Sequence, residues 1–241
     1  MTKPPVAPAS KRTYDVLVED IEAGLRSGRF KIGDQLPGER ILAETYGISR
    51  ASVREAMRLL DAMGVLRSSN RSGPKSGAVI VSEPSAGLSS TLRLHIASSR
   101  LPVEEIVEAR ILLETWAART AAEHHDPDGI ERARELLTAM DSPDMDPETF
   151  HALDAQFHYA LSALAGNTVI ETIMDALNGS IRGYIKDALD SLGDWPAVLE
   201  ELRAHHHAIF DAVEAKDADR AAELLRSHIR WLYEQTANTA G

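Results

Sequence analysis

From Ser85 to the C-terminus, apolar residues return at three- and four-residue intervals, and no segment sustains strict alternation. Such a stretch folds as amphipathic helices that bury one stripe each, so a sheet-based core is excluded there. Breaks at Leu101-Pro102, Asp126-Pro127, Ser142-Pro143, Gly166-Asn167 and Gly193-Asp194 punctuate it, since proline suits a first helical turn and glycine a helix end. The expectation is an all-α bundle of about seven helices over residues 85–237.

The preceding segment follows another plan. Arg71-Ser72-Gly73-Pro74-Lys75-Ser76-Gly77 is a turn-rich tract, followed by the apolar run Ala78-Val79-Ile80-Val81 and then Ser82-Glu83-Pro84-Ser85. This marks the end of a first module, residues 11–81, after a loose Pro/Ala-rich arm of ten residues. Tyr14, Leu17, Val18, Ile21 and Leu25 predict a helix from about Lys11 to Ser27, ended by Gly28. A loop through Gly33-Asp34-Gln35-Leu36-Pro37 leads to a short helix from Glu39 to Tyr46. Gly47 then caps in the left-handed conformation, and Ser49 N-caps a second helix to about Met63, before Gly64. Two short helices joined by a tight glycine turn predict a helix-turn-helix. Val65–Ser69 and Ala78–Val81 can pair as a small β-wing. The fold class expected is therefore mainly α: a winged helix-turn-helix followed by a helical bundle.

Charge divides along the same line. The 241 residues sum to −11, which taken alone argues against a polyanionic partner. Through Val81, however, 13 Lys+Arg face 9 Asp+Glu, a net of +4; from Ser82 onward 13 face 28, a net of −15. The basic module can meet nucleic acid while the acidic one does something else. All nine histidines lie in the acidic part, and the absence of cysteine excludes disulfides, a thiol nucleophile and thiolate metal sites. No apolar run is long enough to span a bilayer and the start lacks a signal-peptide core, so the expected location is the cytoplasm, with no membrane partner.

The second helix of the helix-turn-helix has two faces. Val53, Ala56, Met57 and Leu60 should pack inward, whereas Arg50, Arg54 and Arg58 repeat every four residues as a basic ridge. Such a ridge suits a major groove, where arginine reaches guanine or phosphate through its planar fork. Arg71 and Lys75, between the wing strands, would track phosphates or a minor groove. A solvated face paired with Glu55 is the plainer alternative. Leu36-Pro37-Gly38-Glu39-Arg40 and Gly47-Ile48-Ser49-Arg50-Ala51-Ser52-Val53-Arg54-Glu55-Ala56-Met57 closely resemble the DNA-binding domain of GntR-family transcription regulators. The resemblance implies that Arg40, Arg50 and Arg54 contact operator bases or phosphates, and that Ser49 and Ser52 touch the DNA backbone. Gly38 stands where the family often has serine.

In the bundle, polar residues fall on apolar stripes. Asp154 and His158, four apart, lie on the stripe of Phe150, Leu153, Phe157, Leu161 and Leu164. His206 lies near the centre of Leu202, Ile209, Phe210 and Val213, with His205 at its margin and His207 on the far side; His228 sits among Ala221, Leu225, Ile229 and Leu232. A lone buried histidine is usually a hydrogen-bonded core residue. One carboxylate and three imidazoles together are costly to bury unless something pairs them. A divalent metal would, and this donor set suits Zn, Ni, Mn or Fe rather than Ca. His124 and His125 read as solvated. Arg110, among Val103, Ile106, Leu113 and Ala117, either snorkels, pairs with Glu114 or binds a carboxylate ligand.

Glu108-Ala109-Arg110-Ile111-Leu112-Leu113-Glu114, Phe157-His158 with Ala165-Gly166-Asn167, and His206-His207-Ala208-Ile209 with Ser227-His228-Ile229 look like the FCD effector-binding domain of the FadR subfamily. That resemblance implies a divalent metal, zinc foremost, on Asp154, His158, His206 and His228. It also implies a small organic acid effector facing Arg110. Three consecutive histidines leave His205 as the alternative to His206. The function expected is a homodimeric repressor whose affinity for a double-stranded operator responds to that acid, not an enzyme. Competing readings are a metal-dependent hydrolase using the same four residues, which lacks a clearly placed general base, and a regulator that senses the metal itself.

Overall fold

A computed structural model describes residues 12–67, 78–124, 126–143, 145–190 and 194–237. The chain divides into two compact units, residues 1–87 and 88–241. The first contains α1 (Asp15–Ser27), α2 (Glu39–Tyr46), α3 (Arg50–Ala62), β1 (Leu66–Arg67) and β2 (Val79–Ile80). Leu17, Ile21, Leu42, Val53, Ala56, Leu60, Leu66 and Ile80 form its core. β1 and β2 pair antiparallel, Leu66 opposite Ile80 and Arg67 opposite Val79.

Two features differ from expectation. α1 starts at Asp15 because the backbone N–H of Arg12 donates to the Asp15 carboxylate at 2.7 Å, closing a turn ahead of the helix. The loop before α2 also joins the wing: Gln35 bridges Val79, and Leu36 N–H donates to Ala78 C=O at 2.9 Å.

The turn between α2 and α3 follows the local chemistry. Gly47 has φ 64°, a conformation that costs L-residues a Cβ clash, and its N–H returns to Ala43 C=O. Ser49 is extended at φ −70°, ψ 152°, and its Oγ accepts from Ser52 N–H at 3.0 Å. Ser49→Ala is expected to cost ~1 kcal/mol through the unsatisfied amide, read as a lower denaturation midpoint. An unchanged midpoint would mean that water caps the helix equally well.

Among its described residues the second unit holds only helices and the connections between them. The boundary falls inside α4 (Pro84–Ala97), and α5 (Val103–His124), α6 (Pro127–Met140), α7 (Pro147–Leu164), α8 (Thr168–Asp190), α9 (Trp195–Glu214) and α10 (Ala218–Ala237) follow. Asp126, Asp146 and Asp194 cap α6, α7 and α9, each accepting a first-turn N–H, with proline following in the first turn. α5 packs against α7, α8, α9 and α10. Phe150, Phe157, Met174, Ile181, Leu202, Ile209 and Leu225 fill the space between. No helix among the described residues is long and apolar enough to cross a membrane.

Candidate nucleic-acid interface and metal centre

α3 buries Val53, Ala56 and Leu60 and half-buries Met57, which turns Arg50, Arg54 and Arg58 to solvent. The ridge leans on Glu39 at the start of α2, not on Glu55: a Glu39 carboxylate oxygen lies 3.5 Å from Arg54 and 3.7 Å from Arg50. Arg40 is exposed and pairs with Glu44 at 2.8 Å. Exposed pairs of this kind are weak, so phosphate or guanine can replace the carboxylates. Ser49 Oγ and Ser52 Oγ lie 3.0 Å apart at the N-terminus of α3. Lys75 and Arg71 lie outside the described residues.

In the bundle, helical spacing sets Asp154 and His158 one turn apart on α7, while α9 supplies His206 and α10 His228. Their exposures are 6%, 2%, 0% and 1%. One donor atom from each lies within 4.8 Å of all the others. Asp154 Oδ1 is 2.9 Å from His206 Nε2 and 3.6 Å from His158 Nε2, and His158 Nε2 is 3.2 Å from His228 Nε2. Phe157 meets the His206 ring edge-on, centroids 5.1 Å apart, and Phe150 flanks it at 5.8 Å.

The four residues fit a metal ion. Asp154 Oδ1 and His206 Nε2, despite their proximity, are oriented without a hydrogen bond and stay buried and unsatisfied. Each such atom costs about 1–3 kcal/mol. Ligands ~2.1 Å from a tetrahedral ion stand ~3.4 Å apart, close to the separations found between these inward atoms. Three imidazoles and one carboxylate suit zinc and its neighbours, whereas calcium takes oxygen alone.

One of the four, His158, is backed from outside the cluster. His158 Nδ1 hydrogen-bonds Glu114 Oε2 on α5 at 2.5 Å, and Glu114 Oε1 accepts from Arg110 Nε at 2.9 Å. Glu114 is 1% and Arg110 6% exposed. Of the alternatives for Arg110, pairing with Glu114 is thus observed. The reach of Glu114 to α7 was not expected; its place on the Arg110 stripe was the available signal. His205 is a quarter exposed and lies 3.3 Å from Glu201, whereas His206 occupies the cluster. His207 pairs with Asp141 at 3.0 Å, His124 is exposed, and His125 lies outside the described residues.

Electrostatics tie these groups together. Burial would raise the Glu114 carboxyl, but Arg110 and His158 outweigh it and hold it below the usual range. Burial likewise opposes ionisation of Asp154, yet His158 and His206 bring it well below. His158 is lowered by burial but lifted to about 9 by Glu114 and Asp154 on its two sides. Burial keeps His228 well below its ordinary value. A narrow pocket reaches the cluster, with Arg110, Val107, Ile181, Tyr184, His228 and Tyr233 in its wall.

An exposed arginine ridge on the second helix of a helix-turn-helix, with a wing beside it, defines a DNA-binding regulator. The model for bacterial regulatory proteins of the gntR family matches residues 13–75, and that for the FCD domain matches residues 105–230. The chain belongs to the GntR family and carries an FCD domain; it is a DNA-binding transcription regulator. It is 27% identical over 206 residues to the HTH-type transcriptional regulator LutR of Bacillus subtilis, covering 85% of this chain and 92% of LutR. It is 28% identical to the HTH-type transcriptional repressor NanR of Enterobacter sp. strain 638, covering 92% and 84%. The Streptococcus agalactiae GntR structure shares the fold, with TM-score 0.63 at 24% identity over 90% of this chain and 95% of that one. Family and relatives are transcription regulators, not enzymes.

Proposed function

We propose that this regulator is a FadR-subfamily repressor, acting as a homodimer in the cytoplasm, whose hold on double-stranded operator DNA is released by a small organic acid. Residues 11–81 would read the operator, through Arg40, Ser49, Arg50, Ser52 and Arg54, with Lys75 reaching phosphates from the wing. Residues 85–237 would sense the acid. Leu112 and Trp116, 71% and 41% exposed and one turn apart on α5, offer apolar surface to a second copy.

The observation that carries this reading is a buried charge count. Arg110, Glu114 and Asp154 together sum to one negative charge. A divalent ion on Asp154, His158, His206 and His228, with the imidazoles neutral as ligands, leaves one net positive charge beside the pocket. One carboxylate balances it. The ion, zinc foremost, supplies a Lewis-acidic positive charge. Arg110 orients the acid through the donors that Glu114 leaves unused, since a guanidinium carries five. Regulation then requires that the acid bind the DNA-competent and released states unequally.

The test is operator affinity of the zinc-loaded protein against a panel of small mono- and dicarboxylates. At least one should weaken operator binding ~5- to 150-fold, the usual range for coupled sites, at constant metal. No response across the panel would refute acid sensing. A response to zinc or chelator with every acid inert would establish a metal sensor instead.

A further inference from the structure

The hydrogen-bonded chain Arg110–Glu114–His158 points to a role beyond ligand holding. We infer that Glu114 is a positioning residue for the metal centre: it keeps a proton on His158 Nδ1, so that Nε2 is the nitrogen left to bind the metal when the imidazole is neutral. Arg110 anchors the other Glu114 oxygen and thereby joins the pocket wall to the centre. The inference rests on reading Asp154, His158, His206 and His228 as metal ligands.

A neutral imidazole carries one proton on either nitrogen, and the hydrogen bond at one nitrogen decides which. At His158 the outer nitrogen meets Glu114 Oε2 at 2.5 Å, while the inner one lies 3.2 Å from His228 Nε2 and 3.6 Å from Asp154 Oδ1. An ionised carboxylate only accepts, so the outer nitrogen must donate. Glu114 cannot rotate away cheaply, because its second oxygen is held by Arg110 Nε at 2.9 Å and the residue is 1% exposed. His206 Nδ1 and His228 Nδ1 are buried without such a partner, so among the three imidazoles His158 alone has a carboxylate holding its outer nitrogen among the described residues. Partners of this kind raise ligand basicity and commonly change metal affinity ~10- to 100-fold.

The full-length wild type, Glu114→Gln and Glu114→Asp would be compared by competition for Zn²⁺ against a chromophoric chelator. Glu114→Gln keeps the size of the side chain and should still bind one ion per chain, ~10- to 100-fold more weakly; Glu114→Asp should recover part of the loss. ¹⁵N spectra of histidine-labelled, zinc-loaded wild type should place the His158 proton on Nδ1. A merely structural Glu114 would lower the melting temperature while leaving zinc affinity intact. Wild-type affinity in Glu114→Gln, or a metal-bound Nδ1 on His158, overturns the inference while the metal centre stands. A wild type that takes up no zinc overturns both. Should Glu114→Gln lose its helical circular dichroism, the zinc affinity of Glu114→Asp decides: a partial loss supports the inference and wild-type affinity overturns it.

Discussion

Replacing His206 by alanine is expected to remove tight metal binding, whereas His205→Ala retains it. Structural zinc sites contribute ~10–16 kcal/mol over four ligands, so one ligand is worth about 2.5–4 kcal/mol, or ~70- to 900-fold in affinity. His206 is fully buried between Phe150 and Phe157, and it is the α9 imidazole that lies in the cluster. His205, one residue earlier, points about 100° away and sits edge-on to both Trp231 and His228, outside the four-residue cluster. Metal content after exhaustive dialysis, with chelator competition, measures both variants. One retained ion per chain in His206→Ala would refute the ligand assignment; loss in His205→Ala alone would transfer the role to its neighbour. The first unit lies outside this change, so a fragment carrying it should be unaffected.

Arg54→Ala is expected to weaken operator binding by about 1–3 kcal/mol, or ~5- to 150-fold, if its fork reads a base pair. Arg54 is half exposed and shares Glu39 with Arg50, one turn away. The two guanidinium groups stand side by side because they lie one turn apart on the face of α3 that its apolar stripe turns outward. A base-reading arginine and a phosphate-contacting one separate by experiment. Loss of a base contact relaxes preference at one operator position, whereas loss of a phosphate contact weakens all sequences evenly and reduces the salt slope by about one. Anisotropy titrations on a duplex selected by the wild type, and on its single-position variants, would distinguish them. Unchanged affinity would leave the ridge as an ordinary solvated face.

Helical periodicity made most of the candidate site readable. Asp154 and His158 are adjacent because four residues complete about one turn. Leu202, Ile209, Phe210 and Val213 single out His206 from its two neighbours by the direction in which they point. Gly47 and Ser49 announce the turn because each carries the chemistry its backbone needs. What periodicity could not supply is which helices meet. Glu114 and His158 are 44 positions apart, and only the packing of α5 on α7 brings a carboxylate to that ring. The pairing of the arginine ridge with Glu39 likewise crosses from one helix to the next. The strand-like contact of Gln35 with Val79 involves a single bridge, too short to leave an alternating pattern.

The four clustered residues come from three helices, which has a mechanical consequence. A bound ion would cross-link α7, α9 and α10, and the Glu114 bridge would tie α5 to the same knot. With that ion bound, a chain without cysteine would gain a staple that survives reducing conditions. α8 lines the pocket through Ile181, Tyr184 and Ile185 yet gives no residue to the cluster. Of the pocket's walls, α8 is then the one that neither the ion nor the Glu114 bridge ties, and its displacement would break no ligand bond.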